Sequence, residues 1–233
     1  MSRILMLDEC GIPEIVGHLG VALRTAKRAR LRVVDGFIVP IGEELELGLS
    51  NEILRAFDAL NTKTAVLRSS YQDENVFAGE TLRDISRDAL IPTISYLQQN
   101  AIRHGQEVAV VVQASLRAEF SGTIHSYNPA TLDHNEILIE ANIWMNETVL
   151  SGEAEADMIL INKSTGAVTT ESDEEGEICL TPKQISYLHN LIRKVENTFK
   201  QPVSVDWCFD NGLLYVLNVR PINGVTYERY QYE

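Results

Sequence analysis

A β-hairpin pattern at Pro202–Pro221 (PVSVDWCFDNGLLYVLNVRP) constrains the fold more than any other stretch of this sequence. Two runs rich in β-branched and aromatic residues flank a turn sequence, Asp210-Asn211-Gly212. This arrangement is typical of two antiparallel strands. Because side chains alternate between the two faces of a strand, the length of the turn decides which side chains share a face.

Two turn lengths are compatible with the sequence. A two-residue turn would place Asp206 and Asn218 on opposite faces of the hairpin. A three-residue turn, with Gly212 in the left-handed conformation, would place both on one face together with Arg220. We favour the three-residue turn, because it leaves a wholly apolar opposite face formed by Val205, Trp207, Phe209, Leu213, Tyr215, Leu217 and Val219.

The polar face predicted in this way has a chemical use. The carboxylate of Asp206, the amide oxygen of Asn218 and the guanidinium of Arg220 are groups that bind a divalent metal and a chain of phosphates. The alternative is an ordinary amphipathic hairpin whose polar face is solvated. The hairpin alone does not decide between the two.

The composition indicates a soluble globular protein whose ligand is small. A chain of 233 residues is long enough to bury a substantial core, and no apolar run approaches the length of a membrane span. The net charge of −13 opposes binding to nucleic acid or to an anionic membrane. A local basic pocket for a nucleotide is therefore a better expectation than a DNA or RNA surface.

The N-terminus and the cysteines suggest the cytoplasm. The first residues, MSRILMLDE, do not have the pattern of a signal peptide. The three cysteines, Cys10, Cys179 and Cys208, are scattered and are expected to be reduced thiols.

Strand and helix patterns are interspersed along the chain, which indicates an α+β fold with mixed or antiparallel sheets. The expected helices span residues 15–32, 43–60, 82–104 (with a kink at Pro92) and the segment that follows the N-cap Thr181. The expected strands span residues 4–7, 33–40, 64–70, 107–114, 119–126, 136–141 and 158–162, besides the hairpin.

Five stretches, taken in order, resemble the ATP-binding domain of the phosphoenolpyruvate synthase and pyruvate phosphate dikinase family. They are VVDGFIVP (33–40), AVLRSS (65–70) followed by FAGE (77–80), VVVQASLRAEFSGTIHSYNP (110–129), ETVLSG (147–152) and VDWCFDNGLLYVLNVRP (205–221). The resemblance implies an ATP-grasp fold, in which two α+β lobes clamp a nucleotide cleft. We expect the N-terminal lobe at residues 1–112 and the C-terminal lobe at residues 113–233.

The family's roles can be carried over residue by residue. The resemblance implies that Arg68 and Arg220 bind phosphate and carry the catalysis, and that Asp206 and Asn218 hold Mg²⁺. The other implied contacts to ATP are the glycine-bearing loop at Gly79, the adenine hinge at Gln113 and Ser115, and a ribose or second-lobe contact at Glu147. The implied activity is transfer of the β-phosphoryl group of ATP to a histidine of a partner protein or to a small acceptor.

The departures from the family pattern leave a second hypothesis open. Leu19 stands where the family has a phosphate-binding lysine, and both metal ligands are one methylene shorter than the family's Glu and Gln. With Glu233 as the last residue, no phosphohistidine domain is expected within the chain, and none of the five histidines resembles the family's acceptor. The chain is therefore expected to be either a nucleotide-binding subunit that serves a phosphohistidine-domain protein, or a degenerate relative that binds a nucleotide or partner without catalysis.

Overall fold

The computed structural model describes residues 3–9, 11–72, 79–143, 156–171 and 178–222. The helices are α1 Pro13–Arg28, α2 Leu47–Ala59, α3 Leu90–Arg103 and α4 Pro182–Phe199, and a short 3₁₀ turn spans Arg87–Ala89. The strands are β1 Leu5–Met6, β2 Gly36–Val39, β3 Thr64–Tyr71, β4 Thr81–Ser86, β5 Val108–Ala114, β6 Phe120–His125, β7 Glu136–Ile143, β8 Asp157–Asn162, β9 Val168–Glu171, β10 Val203–Asp210 and β11 Leu213–Pro221. The predicted α+β class is confirmed.

The chain divides into two compact units. The N-terminal unit comprises Met1–Arg117 together with Tyr215–Asn218, and the C-terminal unit comprises Ala118–Leu214 together with Val219–Glu233. The sequence patterns placed the boundary at residue 113 and did not predict that a piece of the last strand would group with the first unit.

The N-terminal unit is built on a five-stranded sheet of order β1-β2-β5-β3-β4, in which the neighbouring strands are antiparallel. The central strand β5 is buried along nearly its whole length, as its continuous apolar run predicts. One face of the sheet forms a core with α2 and α3, and α1 lies against β3 and β5. The positions that α2 and α3 contribute to this core are Leu49, Ile53, Phe57, Leu90, Ile94, Leu97 and Ala101.

The C-terminal unit is built on a six-stranded sheet of order β11-β10-β6-β7-β8-β9. Helix α4 packs on β10 and β6, and its buried stripe has the predicted helical spacing. The predicted N-cap Thr181 is confirmed: its hydroxyl accepts a hydrogen bond from the Gln184 N–H, and the Gln184 Oε1 accepts one from the Thr181 N–H. The inward face of the sheet is apolar, with Val205, Trp207 and Phe209 fully buried.

The prediction of one helix over residues 82–104 is wrong in its first part. Residues Thr81–Ser86 form strand β4, which pairs with β3, and the helix begins only at Leu90. Pro92 therefore falls in the first turn of α3, where the missing N–H leaves no helical hydrogen bond unmade, and the expected kink is absent. Pairing with β3 at the edge of the sheet outweighs the helix propensity of this segment.

The prediction of a three-residue hairpin turn is also wrong. The turn is Asn211-Gly212, and both residues have positive φ (49° and 70°), which is the type I′ geometry of two-residue turns. The positive φ predicted for Gly212 is confirmed. The buried positions of β11, Val216 and Val219, are three residues apart, so the burial along this strand does not follow a period of two residues.

Candidate nucleotide-binding site

A glycine loop inside α1 is fastened to strand β3. The helix is interrupted at Gly17, whose φ of 67° and ψ of 173° are not helical. The Ser70 hydroxyl accepts a hydrogen bond from the Gly20 N–H (3.1 Å) and donates one to the Val16 carbonyl (2.7 Å). A Cβ added at Gly17 would lie only 2.2 Å from the Ser70 carbonyl oxygen. The segment around Leu19, which departs from the family pattern, is therefore in direct contact with the AVLRSS stretch (65–70) that carries part of the resemblance.

Leu19 is part of the packed interior of the N-terminal unit. Its side chain is 8% exposed, on the buried side of α1 with Val16 and Leu23. A lysine at this position would have to bring its ammonium group out of an apolar environment, because a buried unpaired charge is costly. The position where the family has its lysine is therefore occupied here by a core residue.

Arg68 is half-buried on β3, and its guanidinium Nη1 donates a hydrogen bond to the Leu217 carbonyl. Both residues belong to the N-terminal unit. The neighbouring Asn218 has a side-chain oxygen, Oδ1, that is buried and has no hydrogen-bond partner among the described residues. Buried polar atoms in folded proteins nearly always have a partner, so this oxygen is suited to a ligand such as a cation.

Asp206 lies on β10, and its carboxylate is held by two side chains of the C-terminal unit. Arg220 Nη2 donates to Asp206 Oδ1 at 2.7 Å, and Thr123 Oγ1 donates to the same oxygen at 3.2 Å. Both of these bonds end on Oδ1, which leaves Oδ2 as the oxygen for a further ligand. Arg220 is about half exposed (49%), so its guanidinium remains accessible to an anion.

The pairing of Asp206 with Arg220 shows that these two predicted site residues share a face in spite of the two-residue turn. The two-residue turn places Asp210 opposite Leu213, a register in which Pro202 would lie opposite Pro221. The Ile222 N–H instead donates to the Pro202 carbonyl (3.2 Å), so the pairing of the two strands is shifted by one residue at their far end. A shift of one residue moves the later side chains to the other face, which brings Arg220 to the face of Asp206.

A second polar cluster lies beside Asp206 on the C-terminal sheet. The Ser204 hydroxyl is 2.6 Å from His125 Nδ1, and His125 Nε2 is 3.2 Å from Glu140 Oε2. The hydrogen bond from His125 lowers the pKa of Glu140, in opposition to the effect of burial. Glu140 is therefore held as a carboxylate against the imidazole.

The three residues predicted to contact the rest of ATP lie in the N-terminal unit. Gln113 is buried, and its side-chain nitrogen donates to the Val34 carbonyl at 3.0 Å. The Ser115 hydroxyl lies just after β5 and accepts from the Thr64 hydroxyl at 3.0 Å. Gly79 is exposed, and a Cβ there would be 3.0 Å from the Ser69 carbonyl. Their roles at the adenine and over the phosphates stay predictions, and Glu147 lies outside the described residues.

Three hydrogen bonds of the candidate site were not predicted from the sequence. They join the Ser70 hydroxyl to the glycine loop, Thr123 to Asp206, and His125 to Ser204. Thr123 and His125 alternate along the GTIHS stretch, so one could infer that they share a face. Their partners could not be inferred, because nothing local in the sequence states that β6 pairs with β10 in the observed register.

The described residues contain no group of three or more His, Cys, Asp or Glu side chains that could hold a metal by themselves. Mg²⁺ commonly takes one or two protein oxygen ligands and completes its shell with phosphate oxygens and water. The Asp206 carboxylate of the C-terminal unit and the unpartnered Asn218 amide oxygen of the N-terminal unit are each oxygen donors of the kind that Mg²⁺ takes. Their role as ligands of Mg²⁺ stays a prediction.

Comparison with solved structures defines the fold as ATP-grasp. A biotin carboxylase from Campylobacter jejuni aligns with a TM-score of 0.55 at 9% identity, over 91% of this chain and 41% of that chain. A D-alanine–D-alanine ligase from Bacillus anthracis aligns with a TM-score of 0.51 at 12% identity, over 87% of this chain and 54% of that chain. At these identities the likeness concerns the fold alone, and it confirms the predicted fold.

Sequence comparison gives the particular resemblance within that class. Residues 90–172 match the family model of the pyruvate phosphate dikinase AMP/ATP-binding domain. A Bacillus subtilis protein described as an uncharacterized phosphotransferase, YvkC, is 28% identical over 52% of this chain and 17% of its own length. A probable phosphoenolpyruvate synthase of Methanocaldococcus jannaschii is 28% identical over 55% of this chain and 13% of its own length. The resemblance predicted from the motifs is confirmed.

These matches cover less than a fifth of either relative's length. The same holds for the rifampicin phosphotransferase of Bacillus subtilis, which is 26% identical over 55% of this chain and 17% of its own length. Across the described part of the chain, every helix is too short or too polar to cross a membrane.

Proposed function

We propose that this chain is an ATP- and Mg²⁺-binding phosphotransferase module of the phosphoenolpyruvate synthase and dikinase type. The observation that carries the proposal is the match of residues 90–172 to an ATP-binding domain, in a chain whose Asp206 carboxylate is held by Arg220 and Thr123. Phosphoryl transfer depends on positioning and on charge neutralisation more than on covalent chemistry. Arginines and a carboxylate held in place meet that requirement.

In this proposal Arg68 and Arg220 bind the phosphates, since a planar guanidinium donates two parallel hydrogen bonds to a phosphate. Asp206 and Asn218 hold Mg²⁺, which when bound neutralises charge on the phosphate oxygens. Thr123 fixes the rotamer of Asp206 through its bond to Oδ1. Gln113 and Ser115 at the adenine, Gly79 over the phosphates and Glu147 at the ribose complete the proposed contacts.

The proposed acceptor is a histidine of a separate phosphohistidine-domain protein or a small molecule. The curated relatives named above are several times longer than the matched region, so in them other parts of the chain are available for the acceptor. The proposed location is the cytoplasm, which supplies ATP as the donor.

The proposal is tested by calorimetric titration of ATP into matched variants. Asp206→Asn should lose most of the Mg²⁺-dependent part of ATP binding, because an amide cannot replace the charge of the carboxylate. Asp210→Asn is the control, since Asp210 lies on the same strand beside the turn and bonds only to Asn211 among the described contacts. Arg220→Ala should weaken ATP more than adenosine. Equal ATP binding by Asp206→Asn, Arg220→Ala and the parent would overturn the proposal.

The non-catalytic alternative predicts a different pattern. A relic of the kinase fold would bind ATP or a partner and yet form no AMP when mixed with an acceptor, whereas transfer of the β-phosphoryl group leaves AMP. Measurement of AMP formation alongside the titration separates the two hypotheses.

A further inference from the structure

Three polar side chains form a continuous hydrogen-bonded chain across β10, β6 and β7. The Ser204 hydroxyl lies 2.6 Å from His125 Nδ1, and His125 Nε2 lies 3.2 Å from Glu140 Oε2. Ser204 and His125 are direct partners in the antiparallel register of β10 and β6. The His125 side chain is 15% exposed, so the strands on either side hold its ring in place.

The sequence hydroxyl, imidazole, carboxylate is the arrangement that activates a serine hydroxyl as a nucleophile. With the Nε2 proton donated to Glu140, Nδ1 carries the lone pair that receives the hydroxyl proton of Ser204. A nucleophile, a base within hydrogen-bond reach and a third group that orients the base are the elements common to serine nucleophiles on unrelated folds. Glu140 would stabilise the imidazolium that forms when His125 takes the proton.

The position of Ser204 connects this chain to the proposed phosphate site. Ser204 and Asp206 are two residues apart on β10, so their side chains leave the same face about 7 Å apart. Arg220 contacts Asp206 on that face at 2.7 Å and is half exposed. A phosphate bound by Arg220 would thus lie within reach of the Ser204 hydroxyl.

We propose that Ser204 is a built-in phosphoryl acceptor, with His125 as its general base and Glu140 as the residue that positions His125. This inference rests on the proposed function, because ATP is the donor. The Ser204 oxygen attacks the terminal phosphorus of ATP, and a new P–O bond forms. The bond between that phosphorus and the bridging oxygen breaks, and ADP leaves. The hydroxyl proton passes to His125 Nδ1, and the product is phosphoserine.

The chemical stability of the product distinguishes this reaction from transfer to a histidine. A phosphoserine ester survives acid, whereas a phosphohistidine is hydrolysed by it. The transfer occurs within one molecule, so its rate should not change when the protein is diluted.

The test is incubation of the full chain with ATP and Mg²⁺, followed by acid quench and mass spectrometry. We expect a gain of about 80 Da, the mass of one phosphoryl group, on the peptide that contains Ser204. Ser204→Ala should abolish it. Ser121→Ala is the matched control, because Ser121 lies on β6 two residues before Thr123 and on the same face as Thr123 and His125. This variant should be labelled on Ser204 as the parent is.

Variants of the base and of its orienting group test the rest of the chain. His125→Gln should slow labelling by about 10²-fold or more, the usual contribution of a general base. Glu140→Gln should slow it as well, and Glu140→Asp should restore part of the rate, which a purely structural role would not predict. Each variant should keep the parent's ATP affinity in calorimetry and the parent's circular dichroism spectrum.

The outcomes separate the two proposals. Normal ATP binding without acid-stable label on Ser204, or with undiminished labelling of His125→Gln, overturns the assignment of Ser204 and His125 and leaves the proposed function standing. Absence of ATP binding by the parent overturns both.

Discussion

Substitution of Gly17 by alanine should destabilise the N-terminal unit by several kcal/mol. The backbone at Gly17 has φ of 67° and ψ of 173°, a region that residues other than glycine enter only at a cost of about 1–3 kcal/mol. In addition, the new Cβ would lie 2.2 Å from the Ser70 carbonyl oxygen and 2.3 Å from its hydroxyl oxygen. Relief of such overpacking typically costs about another 1–3 kcal/mol. The expected total is about 2–6 kcal/mol.

The contact partner is rigid, which is why the clash cannot be relieved cheaply. Ser70 is 1% exposed and belongs to β3, which pairs with β5 on one side and with β4 on the other. Its hydroxyl would also lose the bonds to the Gly20 N–H and the Val16 carbonyl if the loop moved away. A shift of the loop would therefore relieve the steric clash but break buried hydrogen bonds, which is also destabilising.

Urea unfolding followed by circular dichroism measures the effect, and Gly42→Ala is the control. Gly42 also has a positive φ (80°), but a Cβ there meets nothing within 4 Å, so only the conformational cost of about 1–2 kcal/mol should appear. Gly17→Ala should thus lose more free energy of unfolding than Gly42→Ala. Equal losses in the two variants would refute the close contact between the glycine loop and Ser70.

Three further predictions follow from the described contacts. Thr181→Ala should lower the free energy of unfolding by about 1 kcal/mol through loss of the α4 cap. The control Thr198→Ala should change it by less than about 0.5 kcal/mol, because the Thr198 hydroxyl donates only to a carbonyl within α4. Urea unfolding compares the two variants, and an equal effect would contradict the capping role. Burial, together with the neighbouring Asp157, raises the pKa of Cys179 to about 12. In a Cys10→Ser, Cys208→Ser background this thiol should therefore react slowly with iodoacetamide at pH 8, and faster when Asp157→Asn is added. Fast alkylation of Cys179 with Asp157 in place would be the contrary result. The hydrogen bond from His125 lowers the pKa of Glu140 below 4.5, so this bond stabilises the fold above pH 4.5 and stops doing so as the pH falls through the lowered pKa. Glu140→Gln should therefore reduce the dependence of the free energy of unfolding on pH below about pH 4.5. An unchanged pH dependence in this range would contradict the prediction.

The parts of the fold that could be predicted were those whose signal is local. The apolar run of β5, the Thr181 cap of α4 and the positive φ of Gly212 follow from periodicity and from residue-specific backbone preferences. Strand β4 was predicted as helix, because its conformation is set by pairing with β3, a partner more than ten residues away that local propensity does not report.

The candidate site shows the same limit. The polar face of the hairpin and its residues Asp206 and Arg220 could be identified, and they meet at 2.7 Å. The reason given for the meeting was wrong, since the turn has two residues and a one-residue shift in the pairing of β10 and β11 restores the shared face. Thr123, His125 and Glu140 could not be assigned to the site, because the order and register of strands in the sheet are decided by tertiary packing.

The same limit applies to Leu19. The sequence marked it as a departure from the family's lysine, and whether it was exposed depended on which face of α1 meets the sheet. The structure places it in the core at 8% exposure. The structure therefore leaves no room for an exposed lysine-like group at this position without a change in the packing of α1.

Calorimetric titration of the unmodified chain with ATP and with adenosine, each in Mg²⁺ and in EDTA, tests the proposed function most directly. ATP should bind, and removal of Mg²⁺ should weaken its binding, because Asp206 and Asn218 are proposed to hold the metal that accompanies the nucleotide. Adenosine should bind far more weakly and independently of Mg²⁺, because it has no phosphate for Arg68 and Arg220 to bind. If ATP does not bind, or binds as adenosine does and regardless of Mg²⁺, the proposed function is wrong.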